Sequence, residues 1–315
     1  MHALVTGGAG FIGSHLVDAL VRRKHRVRVL DNLTTGTLRN LELSRNKIEF
    51  IRGDIRDTRT LRRAIRGTDV IFHQAALRSV PKSVERPLEF HEVNITATVQ
   101  LLCLAHEVGV RRVVYASSSS VYGDSQLPQR ESMVAHPQSP YAVSKLAGEI
   151  YCSMFTQLYG LKTVSLRYFN VFGPRQSLEN KYAVVVPKFI VCLLKGEHPP
   201  IHGDGLQTRD FTYIDNVIHA NLLAAASPKA SGQVFNIACG HQHSVRNLAE
   251  ILGRQIGVPV NPRFTPSRPG DVKHTRADIR KAQRLFGYKV QVQLEEGLIR
   301  TTDWFKQHPQ AWVTQ

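Results

Sequence analysis

Tyr141 and Lys145 stand four residues apart in Pro140-Tyr141-Ala142-Val143-Ser144-Lys145, and a run of hydroxyls, Ser117-Ser118-Ser119-Ser120, lies upstream of them. A tyrosine with its ordinary pKa of about 10 is a poor base at neutral pH, but a nearby ammonium favours the phenolate. If a helix starts at Pro140 with Ser139 as its N-cap, Tyr141 and Lys145 share one face, one turn apart. Serines at the edge of a sheet could then hold a substrate hydroxyl for that phenolate. Tyr and Lys at this spacing are also a common surface pair, so the pattern needs a context.

The context is Thr6-Gly7-Gly8-Ala9-Gly10-Phe11-Ile12-Gly13, which follows a strand-like run and opens a helical one. Its spacing fits both GxxGxxG and GxGxxG. Such a turn lets a pyrophosphate approach backbone without side chains at a helix N-terminus, with Gly7, Gly10, Phe11, Ile12 and Gly13 lining it. Asp31 ends the next expected strand, where a carboxylate takes the ribose hydroxyls of an adenosine and repels a 2′-phosphate; NAD is therefore expected rather than NADP. Asp54, in Gly53-Asp54-Ile55, either reaches the adenine or caps the helix that follows.

These residues need a scaffold. Short β-branched runs at 2–6, 26–31, 48–52, 69–73, 111–116 and 162–168 alternate with helical stretches from Phe11 and near 58–66, 88–108 and 140–159. That rhythm implies an α/β fold with a doubly wound parallel Rossmann sheet. After about residue 168 it breaks, with Gly, Pro and polar residues at 173–181, 196–210 and 257–271 and helices near 184–195, 214–226, 244–256 and 278–286. We expect residues 1–168 to form the dinucleotide-binding domain, with a return segment near 211–238. Residues 169–315 form a smaller, loop-rich, discontinuous substrate lobe.

The chain has 315 residues, 42% hydrophobic and 21% charged, the balance of a soluble globular protein. With no long apolar run and no signal-type n-region, a cytoplasmic location is expected. Cys103, Cys152, Cys192 and Cys239 form no CxxC pair and read as reduced thiols. His91-Glu92, His106-Glu107 and His241-Gln242-His243 lack the further ligands of a metal site, so no metal is expected. The formal charge is +16. Its local clusters (Arg22, Arg23, Lys24, Arg26, Arg28; Arg59, Arg62, Arg63, Arg66) form no uninterrupted or aromatic-interleaved tract. They are read as solvated helix ends, with some steering of an anionic substrate, and no nucleic-acid or membrane partner is expected.

The motifs TGGAGFIG, HQAA at 73–76, SSSSVYG at 117–123, YAVSK, RYFNVFGPRQ at 167–176, GDGLQTRDF at 203–211 and RPGD at 268–271 together resemble the extended short-chain dehydrogenases. Among them the chain is most similar to the nucleotide-sugar 4-epimerases, and within these to the UDP-N-acetylglucosamine 4-epimerases, through YAVVVPKFI at 182–190 and RDFTYIDNV at 209–217. The resemblance spans residues 3 to about 287. It implies a serine at Ser118, a base at Tyr141 and its lysine at Lys145. For NAD it implies contacts from Asn32, Ile55, Gln74, Ala75 and Ala76, from Asn94 at the pyrophosphate, and from Tyr168 and Phe169 beside the nicotinamide. For a UDP-sugar it implies Asn170, Arg209 and Arg268 at the diphosphate and Asp271 at the uridine ribose. Arg78, Ser79, Ser119, Ser120, Arg175, Val186 and Lys188 are further substrate candidates. In galactose-type epimerases a bulky tyrosine stands two residues before the Ala-Asp that begins the last helix; here that pair is Ala277-Asp278, and the residue is Thr275.

The expectation is an NAD-dependent enzyme that inverts C4 of a UDP-hexose through a 4-keto sugar, acting on the N-acetylated pair with some activity on UDP-glucose and UDP-galactose. A homodimer pairing helices 88–108 and 140–159 is expected from the same resemblance. The rival readings are a UDP-glucuronate 4-epimerase, which could use Arg175 on the sugar carboxylate, and a dehydratase or decarboxylase, which would carry acidic residues where Ser119-Ser120-Val121 stand. A non-catalytic NAD-binding regulator would be expected to have lost the base.

Overall fold

The computed structural model describes residues 1–178, 185–266 and 272–312. The first half runs β1 (His2–Thr6), α1 (Phe11–Arg22), β2 (Arg26–Asp31), β3 (Ile48–Arg52), α2 (Thr58–Ile65) and β4 (Val70–His73), then short helices α3 (Val80–Glu85) and α4 (Pro87–His91), and α5 (Ala97–Glu107), β5 (Arg112–Ser118), α6 (Pro140–Tyr159) and β6 (Thr163–Tyr168). The second half runs β7 (Val171–Phe172), α7 (Val185–Leu194), β8 (Pro200–His202), β9 (Thr208–Arg209), β10 (Thr212–Tyr213), α8 (Ile214–Ala226), β11 (Gln233–Ile237), β12 (His243–Ser244), α9 (Val245–Ile256), β13 (Arg263–Thr265), α10 (Arg280–Phe286) and α11 (Leu294–Gln307).

Seven strands form one sheet in the order β11-β6-β5-β4-β1-β2-β3, every neighbour parallel. The inner strands are buried almost throughout, polar residues included, as a sheet covered on both faces requires. One core packs α1 and α8 against one face and runs on into α7, α9 and α11, which pack on one another; a second packs α2, α5 and α6 against the other face. From β1 the chain goes to β2 and β3 on one side, then crosses to β4, β5 and β6 on the other. A crevice therefore opens at the carboxyl ends of β1 and β4, where ligands sit in doubly wound folds.

The stretch 88–108 is helical as expected, with α4 and α5 joined without a break by a π-helical turn, Glu92–Thr96, in which the Ala97 N–H reaches back to the Glu92 carbonyl. One expectation needs correction. The helix after Ala277-Asp278 is not the last, because α11 follows α10. α11 escaped the periodicity reading because its buried stripe, Leu294, Leu298, Thr301, Thr302 and Phe305, is diluted by two threonines. Besides its helices and β11, the second half holds short paired strands, β7 with β10, β9 with β12 and β8 with β13. Among the described residues, no helix is long and apolar enough to cross a membrane.

Candidate active site

A cleft of about 1730 Å³ runs along the carboxyl edge of the sheet, from the glycine turn and Asp31 past Ser118 and Tyr141 to Arg209 and Thr275 in the second half of the chain. At one end the turn after β1 has the shape a dinucleotide needs. Gly7 has a φ of +67°, and a Cβ there would lie 2.7 Å from the Ala75 nitrogen; one on Gly13 would lie 2.2 Å from the Gly7 carbonyl oxygen. No side chain caps the N-terminus of α1, so its first-turn N–H groups and dipole are left for an anion. Asp31 accepts the Ala9 N–H on Oδ2 (2.9 Å) and the Leu33 N–H on Oδ1 (2.8 Å). Each oxygen keeps a lone pair for a ribose hydroxyl. These features fit NAD.

Gly10, Phe11, Ile12, Asn32, Asp54, Ile55, Gln74, Ala75, Ala76 and Tyr168 also line the cleft. Asp54 is not the cap of α2; Asp57 is, accepting the Arg59 N–H. Asp54 is held instead by Arg56 and by the Asn32 amide (2.9 Å), and these hydrogen bonds pull its carboxyl down to about 2. The Asn221 amide donates to the Tyr168 hydroxyl at 2.9 Å, and Gln74 does so at 3.2 Å. Phe169 is fully buried beside Tyr122 and does not reach the cleft. Asn94, expected at a pyrophosphate, is also absent from the lining. From the π-helical turn its amide exchanges hydrogen bonds with both Leu77 backbone groups (2.8 and 2.9 Å) and donates to Ser144 (3.0 Å), so it braces the loop that carries Arg78.

In the middle of the cleft, α6 is built as its sequence requires: Ser139 accepts the Ala142 N–H (3.2 Å) and Pro140 occupies the first turn. Tyr141 and Ser118 face the same cleft, and the Tyr141 ring meets Phe90 edge-on at 6.5 Å. Ser118 accepts from Ser120, at 3.2 Å from the N–H and 3.0 Å from the hydroxyl. Lys145 is buried, but its ammonium donates to the Ala116 carbonyl at 2.8 Å and lies 6.0 Å from the centre of the Tyr141 ring. Burial pulls Lys145 down to about 8, while Glu149 pulls it back up. Burial pushes the Tyr141 phenol above its ordinary value; the Ser118 hydrogen bond and the charge of Arg78 pull it down. The expected lowering by Lys145 is thus not what dominates, because desolvation outweighs the charges around the phenol.

At the far end, Asn170, with a φ of +31°, accepts the Thr275 hydroxyl (3.4 Å), and both line the cleft with Arg209. Arg209 Nη1 donates to the carbonyls of Thr208 (2.9 Å) and Lys273 (3.0 Å). Asp210, next in the chain, is fully buried and accepts the N–H groups of Cys239 (3.0 Å), Gly240 (3.0 Å) and Ala277 (3.1 Å), tying together the three segments that surround Thr275. Burial holds its carboxyl up to about 7.

Other candidates fall elsewhere. Val186 is in the core of α7, and Lys188 beside it is outside the lining. Ser79 caps α3 by accepting the Lys82 N–H (3.3 Å). Arg175 lines the cleft, but its guanidinium is paired with Asp18 at 2.7 Å, which draws it onto α1. Arg268 and Asp271 lie outside the described residues. The first basic cluster runs from the end of α1 into β2 and the second along α2, and Arg28 of the first donates to the carbonyls of Ala64 and Arg66 at the end of α2 (both 2.8 Å); of these residues Arg22 reaches the cleft.

Sequence reasoning also missed residues. Asp18 accepts the Ser44 hydroxyl (2.6 Å) as well as Arg175, and His15 donates to the Pro174 carbonyl (3.0 Å), so α1 pins the loops on both sides of the cleft. Burial pulls His15 down to about 4, which keeps it neutral. Two polar residues at i and i+3 in an otherwise apolar helix were the available signal. The loop after β2 is clamped on the glycine turn by Thr37 and Asn40, both donating to the Ala9 carbonyl (3.1 and 2.9 Å), and Trp304 and His308 wall the cleft from α11 and the residue after it.

The NAD dependent epimerase/dehydratase family model matches residues 3–238. The UDP-glucose 4-epimerase of Mycolicibacterium smegmatis is 41% identical over 98% of this chain and 100% of its own, and a putative UDP-glucose 4-epimerase of Methanocaldococcus jannaschii is 40% identical over 96% and 98%. Among solved structures, the UDP-N-acetylglucosamine 4-epimerase of Methanobrevibacter ruminantium in complex with UDP-N-acetylmuramic acid superposes with a TM-score of 0.93 at 40% identity, covering 98% of both chains. With the glycine turn, the seven-stranded parallel sheet and the Ser118-Tyr141-Lys145 cluster in one cleft, these matches establish that the chain belongs to the NAD-dependent epimerase/dehydratase family of extended short-chain dehydrogenases.

Proposed function

We propose that the protein is an NAD-dependent UDP-sugar 4-epimerase acting on UDP-N-acetylglucosamine and UDP-N-acetylgalactosamine, with some activity on UDP-glucose and UDP-galactose. The observation that carries the chemistry is that Ser118, Tyr141 and a buried Lys145 line one cleft that is continuous with the glycine turn. NAD, when bound, supplies the acceptor and donor of one hydride at the sugar's C4. Tyr141 removes the 4-hydroxyl proton and returns it, Ser118 holds the same oxygen, and the Lys145 ammonium favours the phenolate. Asn170 and Arg209, with Arg268 and Asp271, hold the UDP while the 4-keto sugar turns over. Hydride and proton both leave and both come back, so the net redox change is zero.

The substrate reading rests on Thr275, a small residue lining the cleft beside Asn170. A UDP-glucuronate 4-epimerase loses support because Arg175, the residue that would meet a sugar carboxylate, is paired with Asp18. Ser119 and Ser120 line the cleft where a dehydratase or decarboxylase would carry acids. The test is a panel of UDP-sugars incubated with the purified protein, without added NAD, and read by NMR for C4 epimers. We expect epimers of the acetylated pair and NAD(H) released on denaturation. Accumulation of an oxidised sugar with strict dependence on external NAD makes the enzyme a dehydrogenase instead.

We further read residues 1–168 with the return segment as the cofactor domain and the remainder as the substrate lobe, in a cytoplasmic protein whose four cysteines are unpaired. A homodimer through α5 and α6 accounts for the exposed apolar stripe Val143, Ile150 and Leu158 on α6, beside exposed Cys103 on α5. Ile150→Asp is expected to halve the mass measured by sedimentation equilibrium; a dimer unaffected by it places the interface elsewhere.

A further inference from the structure

Beneath the catalytic pair lies a buried ion pair that the proton relay does not use. Arg167, on β6, donates from Nε to Glu149 Oε1 (2.9 Å) and from Nη2 to Oε2 (2.7 Å), and the two side chains are only 5% and 3% exposed. The Ser117 hydroxyl donates to the same Oε1. A buried pair of this kind adds little stability that well-packed apolar residues would not supply. What distinguishes it is where its charge falls. Glu149 stands one turn beyond Lys145 on α6, and Ser117 immediately precedes Ser118 at the end of β5.

The groups set around Lys145 leave it short of negative charge. Its ammonium donates to the neutral Ala116 carbonyl and lies 5.2 Å from the centre of the Tyr115 ring on β5. His73, on β4, is kept neutral by burial, which pulls it down to about 3. Burial pushes Tyr115 well above its ordinary value and Cys152 up to about 12, so both stay protonated. Arg78 acts on the phenol from the cleft mouth, and Arg167 is taken up by Glu149. Against the desolvation of the ammonium, the charge that favours its protonated form is Glu149.

We propose that Glu149 is a positioning residue of the reaction: its carboxylate keeps Lys145 an ammonium beside Tyr141 and, through Ser117, holds the strand end that presents Ser118. The proposal rests on the reading of Tyr141 as the base. Ser117 and Arg167 are the partners that aim Glu149, since together they occupy both of its oxygens.

The test titrates Lys145 itself in the NAD-loaded protein, from the NMR signal of ε-carbon-labelled lysine that is lost when Lys145→Met is added to each background. In Glu149→Gln we expect Lys145 to lose its proton about one to two pH units lower than in the parent. The break that this loss sets in the kcat profile should move the same way, with KM little changed. Glu149→Asp is expected to recover part of both shifts. Glu149→Gln leaves the Arg167 charge buried without its partner, so where that variant does not fold the measurement passes to Glu149→Gln with Arg167→Met, which removes both charges at similar volume. There the shift should be smaller but of the same sign. A Lys145 titration that stays at the parent's pH in the folded variant, while turnover falls only in step with the melting temperature, reduces the pair to a structural one and overturns the proposal. Failure of the base assignment is separate: it shows as undiminished turnover in Tyr141→Phe, whatever the titration does.

Discussion

Tyr141→Phe is expected to lower turnover by about 10²–10⁴, the range for a deleted general base, while binding of the nucleotide sugar stays close to the parent's. The phenylalanine keeps the ring that meets Phe90 edge-on. Ser118 does not collapse when its partner is removed, because it still accepts the Ser120 N–H and hydroxyl. What is lost is the phenol hydroxyl assigned to exchange a proton with the substrate's 4-oxygen. The pH dependence has a definite sign. Burial sets the phenol above its ordinary value and leaves the protonated form dominant at neutral pH, so turnover in the parent rises with pH through the acid limb. It levels off where Lys145, drawn down to about 8, gives up its proton, and falls only above the titration of the phenol itself. Tyr141→Phe should flatten the acid limb along with reducing kcat. Calorimetry with UDP-N-acetylglucosamine and a stopped-time NMR assay check the two halves; turnover near the parent's in this variant moves the base to another residue.

The features legible in the sequence are those whose cause is local. The strands from β1 to β6 were readable because their β-branched and apolar residues cluster in short runs, near-continuous in the buried β4 and β5 and alternating with polar residues in β2 and the edge strand β3. The cap at Ser139 and the proline after it announce α6, and with it the spacing of Tyr141 and Lys145. What escaped depends on partners distant in the chain. Asn94 has the chemistry of a phosphate-binding residue, but a π-helical turn aims it at the Leu77 backbone, and nothing in its neighbours announces that turn. Arg175 reads as a free cation until Asp18, far upstream, is brought against it. Asp210 reads as one more acid beside Arg209, although its three N–H donors come from two other segments. The same limit applies to the phenol: residue types place an ammonium near it, and only the packed structure shows that desolvation is the larger effect.

Thr275→Tyr is expected to divide the substrates, lowering kcat/KM for the acetylated pair roughly 10²-fold relative to UDP-glucose and UDP-galactose, the upper end of what about 1–3 kcal/mol of overpacking supplies. The position has little freedom to absorb a larger residue. The Thr275 N–H donates to the Thr208 carbonyl (3.1 Å), and its hydroxyl accepts the Asp210 N–H (3.3 Å). Two residues on, the Ala277 N–H is held by the Asp210 carboxylate. With the backbone tied on both sides and the residue only 7% exposed, a phenol ring must extend into the cleft rather than away from it. The space it fills is what a 2-acetamido group needs on either C4 epimer as the keto sugar turns. Loss of the hydroxyl is a separate matter, because it also removes the bond to Asn170. Thr275→Val isolates that loss and should weaken all four substrates alike. If Thr275→Tyr keeps the acetylated pair and loses UDP-glucose, or if the parent turns over UDP-glucuronate alone, Thr275 does not gate the sugar's C2 side and the substrate assignment falls with it.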